Sequence, residues 1–337
     1  MERNGAFDRF RGIGAIFVVF IHAPPLYRSR LEPLQAAGWA LLVLCQLAVP
    51  FFFLLSGWMM GDKWARGRRS WTELSSSTLR LLRLYVPWFV LFLGFDILDR
   101  LPHGWPEVLR RFAGFSDSRL DTRGYHLWFL PGLILAQIAC WSVLRRWNSI
   151  LPVLAVGGVL FGALGWMDLH GGELPWGLIS YEGIDLSLVS VALGIWLGTR
   201  WSVSAPRIPG VLLLGSVPLL FVEAFLQNLY GGRHLYIPPF LVTRLVVPAL
   251  LLVWLATRPS FPGRGWIGRG LDFLGRHSTA IYLVHLAFLT EIPFDKWITN
   301  GFIRENIVRW AVAIAGSIAV SILLKKCPWE PVRRLVA

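Results

Sequence analysis

The stretch that decides the fold is FDRFRGIGAIFVVFIHA, Phe7 to Ala23. Its apolar run approaches the roughly 20 residues that cross a bilayer's hydrocarbon. Yet Asp8, Arg9 and Arg11 stand at one end and His22 near the other, and a plain anchor needs none of them. From Arg11 to His22 a helix rises about 16 Å and completes three turns plus about 20°. The two residues therefore share one face, with His22 about midway through the span or beyond. Asp8, one turn before Arg11, lies near that face. Ionisable groups inside spans are costly and usually face a bundle interior, a cavity or a pathway. A bland account remains for each: a hydrogen bond between helices for His22, a topology signal for Arg9 and Arg11. The shared face tips the Arg11–His22 pair toward function.

The rest of the chain extends this reading. Of its 337 residues 55% are hydrophobic and only 16% charged, against about a quarter charged in soluble domains. Mean hydropathy is +0.55, and the 18 Trp suit membrane–water interfaces. A net charge of +13 in a soluble protein would point to nucleic acid. Here the aromatics lie inside long apolar runs rather than interleaved with basic residues on an exposed surface, so nucleic acid is excluded as a partner. Cys45, Cys140 and Cys327 show no C-x-x-C spacing, which supports neither a disulfide framework nor a zinc site. The first apolar run leads into HAPPLYRSR without a small-x-small cleavage site, so it is expected to stay attached as the first transmembrane helix.

Ten stretches qualify as spans, near 9–27, 36–60, 79–98, 127–145, 150–167, 184–201, 209–230, 236–257, 278–296 and 306–326. With the amino terminus inside, the inner segments carry about twice as many Lys and Arg as the outer ones, the bias that sets orientation. The loop 168–183 has acidic residues and no Lys or Arg, as suits an outer loop. The expectation is an all-α, polytopic membrane helix bundle of about ten transmembrane helices, with both termini cytoplasmic. Residues 1–337 read as one membrane-embedded domain without an appended soluble one.

Other polar residues fall where a bilayer discourages them. In STAIYLVHLAFL, Tyr282 and His285 are three apart and share a face. The ninth span runs in the same direction as the first, so His285 and His22 are placed at similar depth, though periodicity does not show that they meet. Arg80 and Arg83 sit at the inner start of the third span. A guanidinium suits phosphate, but basic residues at a cytoplasmic helix end are also the ordinary topology signal. Asp96, Glu223, Arg244, Glu291 and Arg309 complete the set, with Glu223 and Arg244 read either as a pair across neighbouring spans or as part of an acceptor site. No H-E-x-x-H, G-x-S-x-G or G-x-x-x-x-G-K-[ST] motif is found.

Five pieces in order carry a family resemblance. D8-R-F-R-G-I-G-A-I-F-V-V-F-I-H22 has an Arg, ten residues and a His. VPFFFLLSGWMM ends on Ser56, Gly57 and Trp58; RLLRLYVPW holds Arg80, Arg83 and Pro87; HLWFLPGL begins at His126; and STAIYLVH ends at His285. Together they resemble the acyltransferase family 3 membrane proteins over nearly the whole chain. Arg9 and Phe10 depart mildly from the family's usual glycine and leucine.

The resemblance implies membrane-bound O-acyl transfer, commonly of acetyl, from cytoplasmic acyl-CoA to a hydroxyl of a cell-envelope or exported glycan or a lipid-linked saccharide. It places the protein in the lipid bilayer of a bacterial cytoplasmic (inner) membrane. It implies His22, with Asp8, as the catalytic group, acting as general base or as acyl carrier. Arg11, Arg80 and Arg83 would meet the donor's phosphates. Ser56, Tyr282, His285, His126, Trp128, Glu223 and Arg244 are candidates for a tunnel or acceptor site, with His126 and Trp128 positioned at the outer start of the fourth span to meet a sugar. No metal and no permanently bound cofactor are expected; acyl-CoA is a substrate, and envelope-pathway proteins or a second copy are conceivable partners. The rival from another class is a proton-coupled secondary transporter of a small polar solute.

Overall fold

The computed structural model describes residues 4–24, 26, 32–100, 124–170, 183–202, 204–231, 241–261, 263, 265–298 and 302–336. The acidic loop read as external, and several basic residues of the outer loops, fall largely outside the described residues. The described residues are helical and contain no strand. Eleven long helices follow in order: α1 (Gly5–His22), α2 (Glu32–Cys45), α3 (Ala48–Ala65), α4 (Trp71–Arg100), α5 (Phe129–Trp147), α6 (Leu151–Leu169), α7 (Ile184–Trp201), α8 (Gly210–Tyr230), α9 (Thr243–Ala256), α10 (Trp266–Glu291) and α11 (Phe302–Lys326). A 3₁₀ turn, Tyr125–Trp128, leads into α5. Helices α2 and α3 together form the second span, broken near Gln46 and Leu47, so the bundle is a polytopic membrane protein. Among the described residues five spans, Glu32–Ala65 included, are long and apolar enough to cross a bilayer unaided, and α6 and α9 supply shorter apolar helices.

Two boundaries differ from the sequence reading, each for a local reason. Helix α1 begins at Gly5 because the Asn4 side chain accepts hydrogen bonds from the Ala6 and Phe7 amides, at 3.0 and 3.3 Å, satisfying donors the first turn leaves free. It stops at His22 ahead of Pro24 and Pro25, where proline removes a donor and disfavours helix in the preceding residue. His22 is thus the last helical residue, about 25 Å of rise from Gly5, well beyond the middle of the helix. Helix α10 begins at Trp266, twelve positions before the expected start, because the WIGRGLDFLGRH segment continues the helix at its inner end.

Two parallel helix pairs organise the bundle. In α3 and α7, Gly57 and Gly61 face Gly194 and Gly198: a Cβ on Gly57 would overlap the Val191 carbonyl oxygen, and one on Gly194 that of Leu54. Small residues four apart let membrane helices approach backbone to backbone. In α1 and α10, a Cβ on Gly12 would come within 2.7 Å of the Gly275 amide nitrogen. Arg9 donates to Asp272 from Nε at 2.7 Å and Nη2 at 3.1 Å, and from Nη1 to the Ser260 and Phe261 carbonyls at 2.8 and 2.9 Å. Arg9 and Asp272 are 263 residues apart, and Gly12 with Gly275 repeats that offset, so the helices run parallel and in register. Helices α5 and α6 pack on α7, α4 on α5, α9 on α3 with α8 outside it, α1 on α3, and α11 on α10. Outward-facing Val211, Leu214 and Leu229 of α8 are each about 70% exposed, as suits a surface solvated by lipid.

Candidate active site

Carried forward ten residues from Gly12 and Gly275, the α1–α10 register brings His22 to His285. Their rings stack with centroids 5.3 Å apart and planes at 29°. His126, in the turn before α5, meets His285 edge-on at 5.0 Å and 78°. Phe92 of α4 stands 5.2 Å from the His126 ring. Three histidines from three segments thus converge where α1 ends, within walls of Phe53, Phe129 and Tyr282. His126 is 2% exposed; it turns into the cluster rather than being presented at the surface for a sugar.

The proton positions follow from the partners. His285 Nδ1 lies 3.0 Å from the Ile281 carbonyl oxygen and 2.8 Å from that of Tyr282. A carbonyl only accepts, so Nδ1 carries the proton and donates. In the neutral ring Nε2 then holds the lone pair, on the far side from those carbonyls. That nitrogen is buried and has no hydrogen-bond partner among the described residues. By the same logic His126 Nε2, 3.2 Å from the Leu283 carbonyl oxygen, donates, while Tyr282 Oη donates to the His126 carbonyl at 2.6 Å. This reciprocal latch fastens the start of α5 to α10. Among the described residues no cluster of His, Cys, Asp and Glu is arranged to hold a metal ion.

The remaining candidates disperse. Arg11 lies one turn from Asp8, with 3.5 Å between Nη1 and the carboxylate, at the inner end of α1 and about 16 Å of rise below His22. Ser56 accepts from Gln137 Nε2 at 2.8 Å, and Ser77 donates to Gln137 Oε1 at 3.3 Å, forming a polar link among α3, α5 and α4 below the histidines. Trp128 packs against Phe53 with ring centroids 6.2 Å apart. Arg80 and Arg83 are exposed. Arg83 and Phe92 are nine positions apart, which puts them on about opposite sides of α4. Arg83 instead lines a groove of about 460 Å³ with Leu79, Leu82, Val86 and Arg334. Glu223 caps α9, accepting from the Val242 and Thr243 amides at 2.7 and 2.9 Å and from the Thr243 hydroxyl. A carboxylate at membrane depth finds its donors at a helix start, a use for Glu223 outside both sequence readings. Arg244 is buried.

Sequence reasoning missed Asp272 and Gln137. Asp272 lies on the inner extension of α10, which the ninth span as drawn cut away. A period-3.6 reading through Ile267, Leu271, Leu274 and Ser278 would have kept it. Gln137 is a lone polar residue in an apolar run, and only the fold shows that it reaches Ser56.

A polytopic bundle with a buried histidine cluster defines a class, and comparison with known proteins makes it specific. Residues 4–326 match the acyltransferase domain of acyltransferase family 3, and the chain belongs to that family. It is similar to a serine/alanine racemase of Enterococcus gallinarum, 30% identical over 382 aligned positions covering 99% of this chain and 49% of the relative. It is also similar to an amino-acid racemase of Enterococcus faecalis, 26% identical over 150 residues, 43% of this chain and 19% of the relative. The chain spans no more than about half the length of these curated relatives. No solved structure matches it.

Proposed function

We propose that this integral membrane acyltransferase moves an acyl group, most commonly acetyl, from cytoplasmic acyl-CoA to a hydroxyl of a cell-envelope or exported glycan. The observation that carries the reading is the His285 Nε2 lone pair, buried against His22 and His126. Family membership supports acyl transfer; the donor and acceptor are this proposal's own.

The chemistry divides among the three rings. The acceptor O–H proton passes to His285 Nε2 as the hydroxyl oxygen attacks the thioester carbonyl carbon. The new C–O bond forms, the C–S bond breaks, and the departing CoA sulfur takes the proton from Nε2. Such general-base assistance is worth about 10²–10⁴-fold. His22, the more exposed ring at the end of α1, meets the substrates and offers an N–H to the oxygen on which negative charge develops. His126 and Tyr282 hold α5 against α10 and so fix the ring positions. The cluster's place at the outer end of α1, with Arg11 at the inner end, suits a donor entering from the cytoplasm and an acceptor arriving from outside. The setting is a bacterial cytoplasmic membrane.

Inverted membrane vesicles given acetyl-labelled acetyl-CoA test this. Label is expected in a glycan or lipid-linked saccharide fraction with the wild type and at background with His22→Ala at equal expression. Background labelling by the wild type, with native acceptor membranes present, contradicts the proposal. The rival reading, a proton-coupled transporter of a small polar solute, rests on the His, Glu and Arg residues within the apolar spans. It predicts flux of a labelled solute without covalent change.

A further inference from the structure

The inner ends of α3, α5 and α7 and the start of α6 enclose a second pocket, of about 310 Å³, lined by Trp64, Arg69, Asn148, Trp196 and Arg200 among others. The orientation given by the basic loops places it on the cytoplasmic side. The Arg69 guanidinium lies 4.9 Å over the Trp64 ring and that of Arg200 lies 4.7 Å over Trp196. Stacking on an aromatic face fixes a guanidinium; Arg69 Nε also donates to the Trp64 carbonyl at 3.3 Å, which leaves its terminal nitrogens to meet a phosphate. Among the described residues that line it none is acidic. Arg145 adds a third cation at the rim, its guanidinium 5.4 Å over Trp71 and hydrogen-bonded to the Arg69 carbonyl. The walls are stiff, because Gly61 and Gly198 hold α3 and α7 in backbone contact beside Trp64 and Trp196.

Two stacked guanidiniums, two indole rings and an amide side chain form a combination suited to a phosphorylated purine: arginines for the phosphates, aromatic surface for the base. The groove at Arg83 is a poorer match. Its Leu79, Leu82 and Val86 are 46, 38 and 48% exposed, a wall for lipid rather than for a hydrophilic nucleotide. On α5, Gln137 lies seven positions above Leu144 of the pocket, about 10 Å deeper, so the Gln137–Ser56 link stands where a chain leaving the pocket toward the histidines would pass.

We propose that the Arg69–Arg200 pocket binds the adenosine 3′-phosphate 5′-diphosphate end of the acyl donor, which rests on the acyl-CoA reading above. The probes are adenosine 3′,5′-bisphosphate and CoA, with binding measured by equilibrium methods on the full chain in lipid nanodiscs, alongside KM and kcat for acetyl-CoA. The double variant Arg69→Gln/Arg200→Gln is expected to weaken both ligands at least about tenfold and to raise KM with kcat held. Arg83→Gln should change binding less than about twofold. Thermal unfolding of each variant separates lost binding from lost fold, and Trp196→Leu, which removes an indole without removing charge, should weaken the nucleotide more than inorganic pyrophosphate. Unchanged binding in the double variant, or loss in Arg83→Gln alone, overturns the pocket even where wild type transfers acetyl. Binding that depends on Arg69 and Arg200 in a protein that transfers no acyl group keeps the pocket and overturns the function.

Discussion

The α3–α7 and α1–α10 pairs are both parallel, in register and brought together by glycine, yet they differ in what lies along the seam. In α3–α7 glycines meet at two levels, Gly57 with Gly194 and Gly61 with Gly198, so backbones touch over more than a turn. In α1–α10 the glycine contact comes at one level, Gly12 with Gly275. The inner side is locked by Arg9 and Asp272, and the space toward the outer end holds the His22 and His285 rings. In α3–α7 the contact stiffens the walls of the inner pocket. In α1–α10 it fixes the inner end and leaves the outer end to the stacked histidine rings.

The sharpest way to break this contrast is Gly57→Val. Its side chain overlaps the Val191 carbonyl, and a backbone atom cannot swing aside, so a loss of about 3 kcal/mol or more is expected, read as failure to recover folded protein in mild detergent. Retained stability would mean that the α3–α7 contact is not the scaffold. Arg9→Gln comes next, at about 2 kcal/mol, because a buried clamp loses its charge pair and its hold on two carbonyls. Asp272→Asn should cost less, since Arg9 keeps Ser260 and Phe261; a double-mutant cycle by thermal unfolding measures the coupling. Asn4→Ala should lower stability by about 1 kcal/mol through the lost cap of α1, seen in the same melts. Smallest is Gly158→Ala, whose Cβ meets nothing within 4 Å. It is expected to stabilise by up to about 1 kcal/mol, and destabilisation there would place a partner against α6.

Much of this architecture was legible because hydrocarbon imposes length and loops carry charge. The ninth span's direction and the position of His285 followed from counting alone. What could not be read was pairing. The small-x-x-x-small spacings Gly57–Gly61 and Gly194–Gly198 were available in the sequence, but nothing in either run says that it meets the other. His126 looked like an outer-surface residue because it precedes a span, and only the latch through Tyr282 and Leu283 turns it inward. The Arg80–Arg83 spacing left a phosphate site and a topology signal both open, and only helix geometry shows that Arg83 faces away from Phe92. Glu223 was judged by its charge, and its role as a cap depends on where α9 starts.

The central claim is that the His285 Nε2 lone pair accepts the proton during acyl transfer. The most direct measurement is single-turnover acetyl transfer by His285→Asn, whose amide can still donate to the Ile281 and Tyr282 carbonyls but supplies no base. The account predicts that CoA binding and thermal stability are kept while the transfer rate falls about 10²–10⁴-fold. A rate within about twofold of wild type would remove His285 from the chemistry and return the base to His22.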